Sequence, residues 1–229
     1  MTRNWPTAAP DPELRARRER LLADARLYLC TDARAGRGDL EAFLHAAYAG
    51  GVDIIQLRDK ALEARAEIEA LRLLAAVAKE HGRLFAVNDR ADVAALTGAD
   101  VFHVGQGDLT TAQARALLGP DVLLGRSNRT EAMFAESLAD PGIDYAVIGP
   151  VWATPTKPGR APVGTGMVAR AAELAAAAGK PWFAIGGVDA GRVPGLRARG
   201  AERVVVVRAI ADAADPAAAA RRLRAALLG

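Results

Sequence analysis

A chain of 229 residues that is 51% hydrophobic is long enough to bury one substantial core. Its net charge of +3, of which residues 1–26 supply +2 through six arginines against four acids, leaves no basic face for nucleic acid on the remainder. A single cysteine, Cys30, excludes a disulfide framework and a cysteine-based metal site. No apolar run approaches membrane-spanning length and no signal-peptide pattern is present, so a cytoplasmic protein without membrane or nucleic-acid partners is expected.

In chain order, residues 1–12 carry Trp5, Pro6, Pro10 and Pro12 among small residues and read as a disordered tail before one domain spanning 13–229. Glu13–Ala25 has the pattern of a charged helix with Leu14, Leu21 and Leu22 as its apolar stripe, its arginines forming a solvated face. Leu27–Cys30 is the first strand. The helix Asp39–Ala49 is expected to be capped by Asp39, followed by strand Val52–Leu57 and helix Leu62–Glu80. Strands Leu84–Val87 and Val101–Val104 flank a short helix, Thr110 caps the next, and Val122–Gly125 is a fifth strand ending near Ser127. Helix Thr130–Leu138, strand Tyr145–Ile148, helix Met167–Ala178 and strand Trp182–Ile185 continue the alternation. Helix Asp189–Arg199, strand Val204–Val207 and a final helix capped at Asp215-Pro216 complete it. Strands that are apolar on both faces belong in a parallel sheet covered on both sides. About eight such units predict a single α/β (β/α)8 TIM barrel with an extra N-terminal helix. An open doubly wound sheet is the alternative, though no GxGxxG follows the first strand.

The active site of such a barrel lies at the C-terminal ends of its strands. Composition marks that rim: beside 26 Arg there are only 4 Lys, 3 Gln, 3 Asn and 2 Ser, and the rare types gather after strands at Gln56, Lys60, Asn88, Gln106, Ser127, Asn128 and Lys157. The stretch Tyr145–Gly166 delivers Thr154, Thr156 and Lys157 to a Pro- and Gly-rich loop longer than a βα connection needs; the plain alternative is a polar crossover. In Gln56-Leu57-Arg58-Asp59-Lys60, alternate positions aim Arg58 and Lys60 at one place, as a pair of cations for phosphate oxygens or as surface partners of Asp59 and Glu63. Asp89 and Asp108 follow adjacent strands and suit Mg²⁺ held by two carboxylates plus substrate phosphates; each is equally placed to cap the helix after it. His103, between Phe102 and Val104, reads as a hydrogen-bonded wall residue. Gly186-Gly187 and Val207-Arg208, after strands seven and eight, match a phosphate cup built from backbone N–H groups, or simple turns. A phosphate in the cup and a metal-bound polyphosphate beside Arg58, Lys60 and Lys157 would make two anionic groups. No Ser-His-Asp or Cys-His pair is suggested, and none is needed if the reaction expels pyrophosphate.

Taken in order from Leu27 to the C-terminus, the QLRDK, VND, HVGQGD, GPVWATPTK and IGGV motifs resemble those of the thiamine phosphate synthase family. The resemblance implies a pyrophosphate-releasing coupling of aminohydroxymethylpyrimidine pyrophosphate with a thiazole phosphate. It implies Gln56, Arg58, Lys60, Asn88, Ser127 and Lys157 on the pyrimidine pyrophosphate, with Arg58, Lys60 and Lys157 catalytic. Thr154, Thr156, Gly187, Val207 and Arg208 would hold the thiazole phosphate, and Asp89 and Asp108 would hold Mg²⁺. Arg129 departs from the pattern where a histidine often stands, and Arg208 where a small residue does. A thiazole tautomerase-like paralogue or a non-catalytic phosphate-binding barrel would share the cup without requiring the three cations or the carboxylate pair. Assembly into a homo-oligomer is left open.

Overall fold

The computed structural model describes residues 9–154, 159 and 161–229. Thr156 and Lys157 lie outside the described residues, as do residues 1–8 of the expected tail. Eight parallel strands close in sequence order, β8 returning to pair with β1. They are β1 (Leu27–Thr31), β2 (Ile54–Leu57), β3 (Leu84–Asn88), β4 (Val101–Val104), β5 (Leu123–Asn128), β6 (Tyr145–Ile148), β7 (Trp182–Ile185) and β8 (Val204–Val206). Helix α1 (Pro12–Asp24) precedes the barrel. Between strands lie α2 (Leu40–Ala49), α3 (Ala64–Glu80), α4 (Ala91–Thr97), α5 (Thr111–Leu118), α6 (Glu131–Ala139), α7 (Gly164–Ala178) and α8 (Val193–Arg197), and after β8 come α9 (Arg208–Ala211) and α10 (Pro216–Leu228).

The period-2 alternation of strand side chains divides the core into two. Tyr28, Ile54, Leu84, Val101, Leu123, Tyr145, Phe183 and Val205, one from each strand, fill the barrel interior. Their neighbours Leu29, Ile55, Phe85, Phe102, Leu124, Ala146, Ala184 and Val206 face the helices. This is why the strands read as apolar on both faces. Gly125 makes room inside: a Cβ there would fall 2.0 Å from the Tyr145 ring.

The arginines of α1 form a solvated face only in part: Arg17 and Arg20 are exposed, whereas Arg18 is buried and Arg15 half-buried. Leu22 and Ala25 close the floor of the barrel interior, and Arg18, 5% exposed, pairs with Asp100 at 2.9 Å while Arg15 pairs with Asp144. These aspartates belong to a repeated device. Asp53, Asp100 and Asp144 each stand just before an even-numbered strand and accept a backbone N–H from the strand before it: Leu27, Phe85 and Leu124 respectively. Each is neutralised by arginine from elsewhere, Asp53 by Arg83 and Arg224, and Asp144 by Arg115 as well. A charge taken out of water needs such partners.

Other boundaries shift for local reasons. The first helix begins at Pro12, capped by Asp11 through the N–H groups of Glu13 and Leu14, so the end of the expected tail belongs to the helix. Asp39 does not cap α2 with its side chain; its carboxylate is taken by Arg34 at 2.6 and 2.8 Å. Strand β5 continues to Asn128, and a four-residue helix, α9, starts at Arg208 where only a loop was expected.

Candidate active site

Among the described residues the C-terminal ends of the strands carry three recesses, one over β1, β2 and β8 of ≈ 500 Å³ and two that hold most of the sequence-predicted site residues. The first of these two, a cleft of ≈ 220 Å³, lies over β2 and β3 and is lined by Arg58, Lys60, Asn88, Asp89, Glu67 and Arg90, among others. Lys60 Nζ is 2.9 Å from Asp89 Oδ2. Arg58 is half-buried, and among the described residues no hydrogen-bond or ion-pair partner holds its guanidinium. Asp59 is not that partner: it accepts N–H groups of Ala33 and Ala61 and so braces the strand-end loops.

Neither proposed metal carboxylate serves as a helix cap. Asp89 sits in the left-handed region at φ 48° although it is not glycine, its N–H tied to the His103 carbonyl at 3.0 Å, and Arg90 rather than Asp89 occupies the cap position of α4. Non-glycine residues in this region cluster at functional sites because the surroundings must hold them there. Asp108 Oδ2 accepts the Gly105 N–H at 2.6 Å, closing the loop after β4, while Thr110 and Gln113 form the capping box of α5. Two carboxylates at neighbouring strand ends, with substrate phosphate oxygens, are the hard-oxygen donor set that Mg²⁺ takes. Among the described residues no group of three His, Cys, Asp or Glu forms a metal site by itself.

The second recess, a cavity of ≈ 490 Å³ over β5–β8, is lined by Ser127, Thr154, Gly187, Val207, Arg208 and others. Gly186 and Gly187 turn at φ 105° and 68°. A Cβ on Gly186 would lie 2.5 Å from Pro150 Cα, and one on Gly187 2.9 Å from Trp152 Cβ. Glycine is therefore required at both by conformation and by space. Arg192 stacks on Trp152, its Cζ 4.8 Å from the ring centroid, and donates to the Gly187 carbonyl, so the turn is gripped from outside. Both departures from the family pattern, Arg129 and Arg208, line this cavity, and with Arg192 they make its rim more cationic than the motifs alone suggest. Arg192 has no signature in the sequence, being one arginine among 26.

Beneath the two recesses runs a chain of polar side chains. Gln56 Nε2 donates to Asn88 Oδ1 at 2.8 Å, and Gln56 Oε1 accepts from the Tyr28 hydroxyl at 2.9 Å and from the Cys30 thiol at 3.4 Å. Tyr28 and Tyr145 oxygens are 3.2 Å apart. His103 lies 3.0 Å from Tyr145 Oη through Nδ1 and 2.8 Å from Ser127 Oγ through Nε2. His103 is thus a buried, hydrogen-bonded wall residue, as its apolar flanks suggest.

Fold and rim together define a TIM barrel whose polar residues and glycine turns converge on one mouth in the manner of phosphate-binding barrels. The family model described as thiamine monophosphate synthase matches residues 27–210. The thiamine-phosphate synthase of Arthrobacter sp. (strain FB24) is 57% identical over 227 residues, covering 90% of this chain and 96% of that one. That of Mycobacterium tuberculosis (strain ATCC 25177 / H37Ra) is 56% identical over 218 residues, covering 91% and 97%. The solved thiamine phosphate pyrophosphorylase from Pyrococcus furiosus superposes with a TM-score of 0.79 at 26% identity, covering 93% of this chain and 98% of that one. The chain belongs to the thiamine monophosphate synthase family.

Proposed function

We propose that this protein is a cytoplasmic thiamine-phosphate synthase that joins 4-amino-2-methyl-5-hydroxymethylpyrimidine pyrophosphate to a thiazole phosphate and releases pyrophosphate. The observation that carries this reading is the pairing of a cationic cleft, containing Arg58 and Lys60 beside Asp89, with a glycine-lined cup at Gly186-Gly187 across the same barrel mouth. The ring nitrogen of the thiazole supplies the electron pair for the new bond to the pyrimidine methylene. The carbon–oxygen bond to pyrophosphate breaks, and its electrons leave with that group. No protein nucleophile is required; the protein binds, orients and offsets charge.

In this reading Arg58 forks onto pyrophosphate oxygens and Lys60 adds a point charge. Lys157 is a third cation, assigned on sequence alone. Gln56, Asn88 and Ser127 hold the pyrimidine. Gly187, Val207 and the start of α9 at Arg208 receive the thiazole phosphate, with Thr154 and Thr156 beside it. Asp89 and Asp108 would hold Mg²⁺, which when bound supplies positive charge to the leaving pyrophosphate. A tautomerase-like or purely binding barrel has no use for the cleft's cations and carboxylates.

Incubating both substrates with the protein and Mg²⁺ tests the proposal, with thiamine phosphate and pyrophosphate as products. Chelation of divalent metal is expected to stop turnover, and Asp108→Asn to lower it steeply. Absence of product would overturn the function, whereas full turnover in excess chelator would overturn only the metal assignment.

A further inference from the structure

Arg34, in the loop between β1 and α2, lines the recess of ≈ 500 Å³ yet is only 6% exposed. It stands at φ 52°, and among the described residues Asp89 is the only other non-glycine residue with a positive φ. The turn is held from within. Asp32 Oδ1 accepts the Arg34 N–H at 3.1 Å, and the Arg34 carbonyl accepts the N–H groups of Arg37 and Gly38 at 2.8 and 3.0 Å. Such a conformation persists only where its surroundings over-determine it, and it clusters at ligand sites and clamps. The guanidinium is placed by three contacts. Nε and Nη2 fork onto Asp39 at 2.6 and 2.8 Å, Cζ lies 3.9 Å from the centroid of the Phe43 ring, and Nη1 donates to the Ala211 carbonyl at 2.9 Å. Arg37 Nη1 donates to that same carbonyl at 3.1 Å. Asp39 alone balances the charge of Arg34; the convergence of two arginines on one carbonyl is a separate feature.

That carbonyl ends α9, a helix of four residues. A single turn gains too few bonds of its own to hold itself in place. It is also a partition. Val207 and Arg208 line both this recess and the cavity of the glycine cup; Ala209 lines only the cup, and Ala211 and Asp212 line only the recess of Arg34. Resting on the proposed function, we infer that Arg34 is a positioning residue for the thiazole phosphate. From behind the partition it fixes α9, and with it the wall at residues 207–209 against which the phosphate is bound. Asp39 and Phe43 hold the guanidinium in turn. The pyrimidine pyrophosphate cleft is not supported in this way: the same loop meets β2 through the Ala33 N–H on Asp59 Oδ2 at 3.3 Å, a backbone bond that the Arg34 side chain does not make.

Steady-state kinetics of thiamine phosphate formation, each substrate varied against a saturating partner and Mg²⁺, tests this. Arg34→Met keeps an apolar stem over Phe43 and removes the fork. It is expected to raise KM for the thiazole phosphate about tenfold, the order of one hydrogen bond from a charged donor, with kcat and KM for the pyrimidine pyrophosphate within about twofold of wild type. Arg34→Lys, which reaches Asp39 or Ala211 but not both, is expected to fall between. Arg37→Ala removes the second bond from an exposed side chain, so it decides the matter if Arg34→Met fails to fold; a rise of about threefold in the same KM is expected. Equal rises for both substrates, a loss confined to kcat, or an unchanged thiazole phosphate KM in these variants would overturn the positioning role, while product formation by the wild-type enzyme leaves the function standing. Wild-type protein that makes no thiamine phosphate would overturn the functional reading and this proposal with it.

Discussion

Gly187 carries two constraints in one residue: φ of 68° and a Cβ position 2.9 Å from Trp152 Cβ and 3.0 Å from an Arg192 nitrogen. A β-branched residue in the left-handed region costs about 1–2 kcal/mol before any contact is counted. Gly187→Val is therefore expected to weaken thiazole phosphate binding at least about tenfold, measured by calorimetry. The pyrimidine pyrophosphate should bind almost as before; equal loss for both would mean a distorted barrel end. Glu67, 7% exposed in the cation cleft, shows the opposite balance. Burial raises its carboxyl, more than the nearby Arg90 lowers it. A carboxyl raised in the folded state favours folding most below its unfolded value, and that contribution is lost as pH climbs through the folded value. Glu67→Gln should accordingly gain stability relative to wild type as pH rises from about 4 to 7, checked by thermal melts across that range. A constant difference would show that the Arg90 contact, 3.8 Å long, compensates the burial.

At the scale of elements, strands β2, β4 and β6 are anchored at their starts by aspartates. Asp53 is 4% exposed, accepts the N–H groups of Arg26 and Leu27, and meets Arg83 and Arg224. Removing it strands two cations and two donors. Asp53→Ala is expected to cost about 3–5 kcal/mol, the range for breaking one side of a buried pair. Denaturant unfolding monitored at the aromatic residues checks this, and a change below 1 kcal/mol would reduce these pairs to surface decoration. The same cost is not expected at Arg170 and Glu173, which are paired at 2.8 Å but exposed at 46% and 66%. There solvent screens the charges.

For the whole molecule, closure of the barrel leaves its lower end open unless something covers it, and α1 does so with Leu22 at 3% exposure and Arg18 on Asp100. Deleting residues 1–8 keeps the Asp11 cap and is expected to leave the melting temperature and activity nearly unchanged. Deleting through Ala25 uncovers the interior and leaves Asp100 unpaired. From the burial of Leu22, about 2–3 kcal/mol, and the loss at Asp100, a fall in melting temperature on the order of 10 °C follows for a chain of this size. An unchanged melt after the longer deletion would show that α1 is an appendage.

The barrel class, the order of strands and helices, and the residues at the strand ends are readable from the chain alone. Each of these follows from local patterning: apolar runs of strand length, glycine and proline punctuation, and rare polar types placed just after strands. Arg58, Lys60, Asn88, Asp89, Ser127, Gly187 and Val207 were legible for that reason, and all line the two recesses. What those residues touch is set by the folded barrel. Arg18 meets Asp100 across 82 positions, and Tyr28 meets Tyr145 across 117. Such partners are fixed by the closure and stagger of the strands around the barrel, and local periodicity carries no information about either. It tells which face of a strand is apolar, but two inward-facing hydroxyls find each other only when the register brings them to the same height.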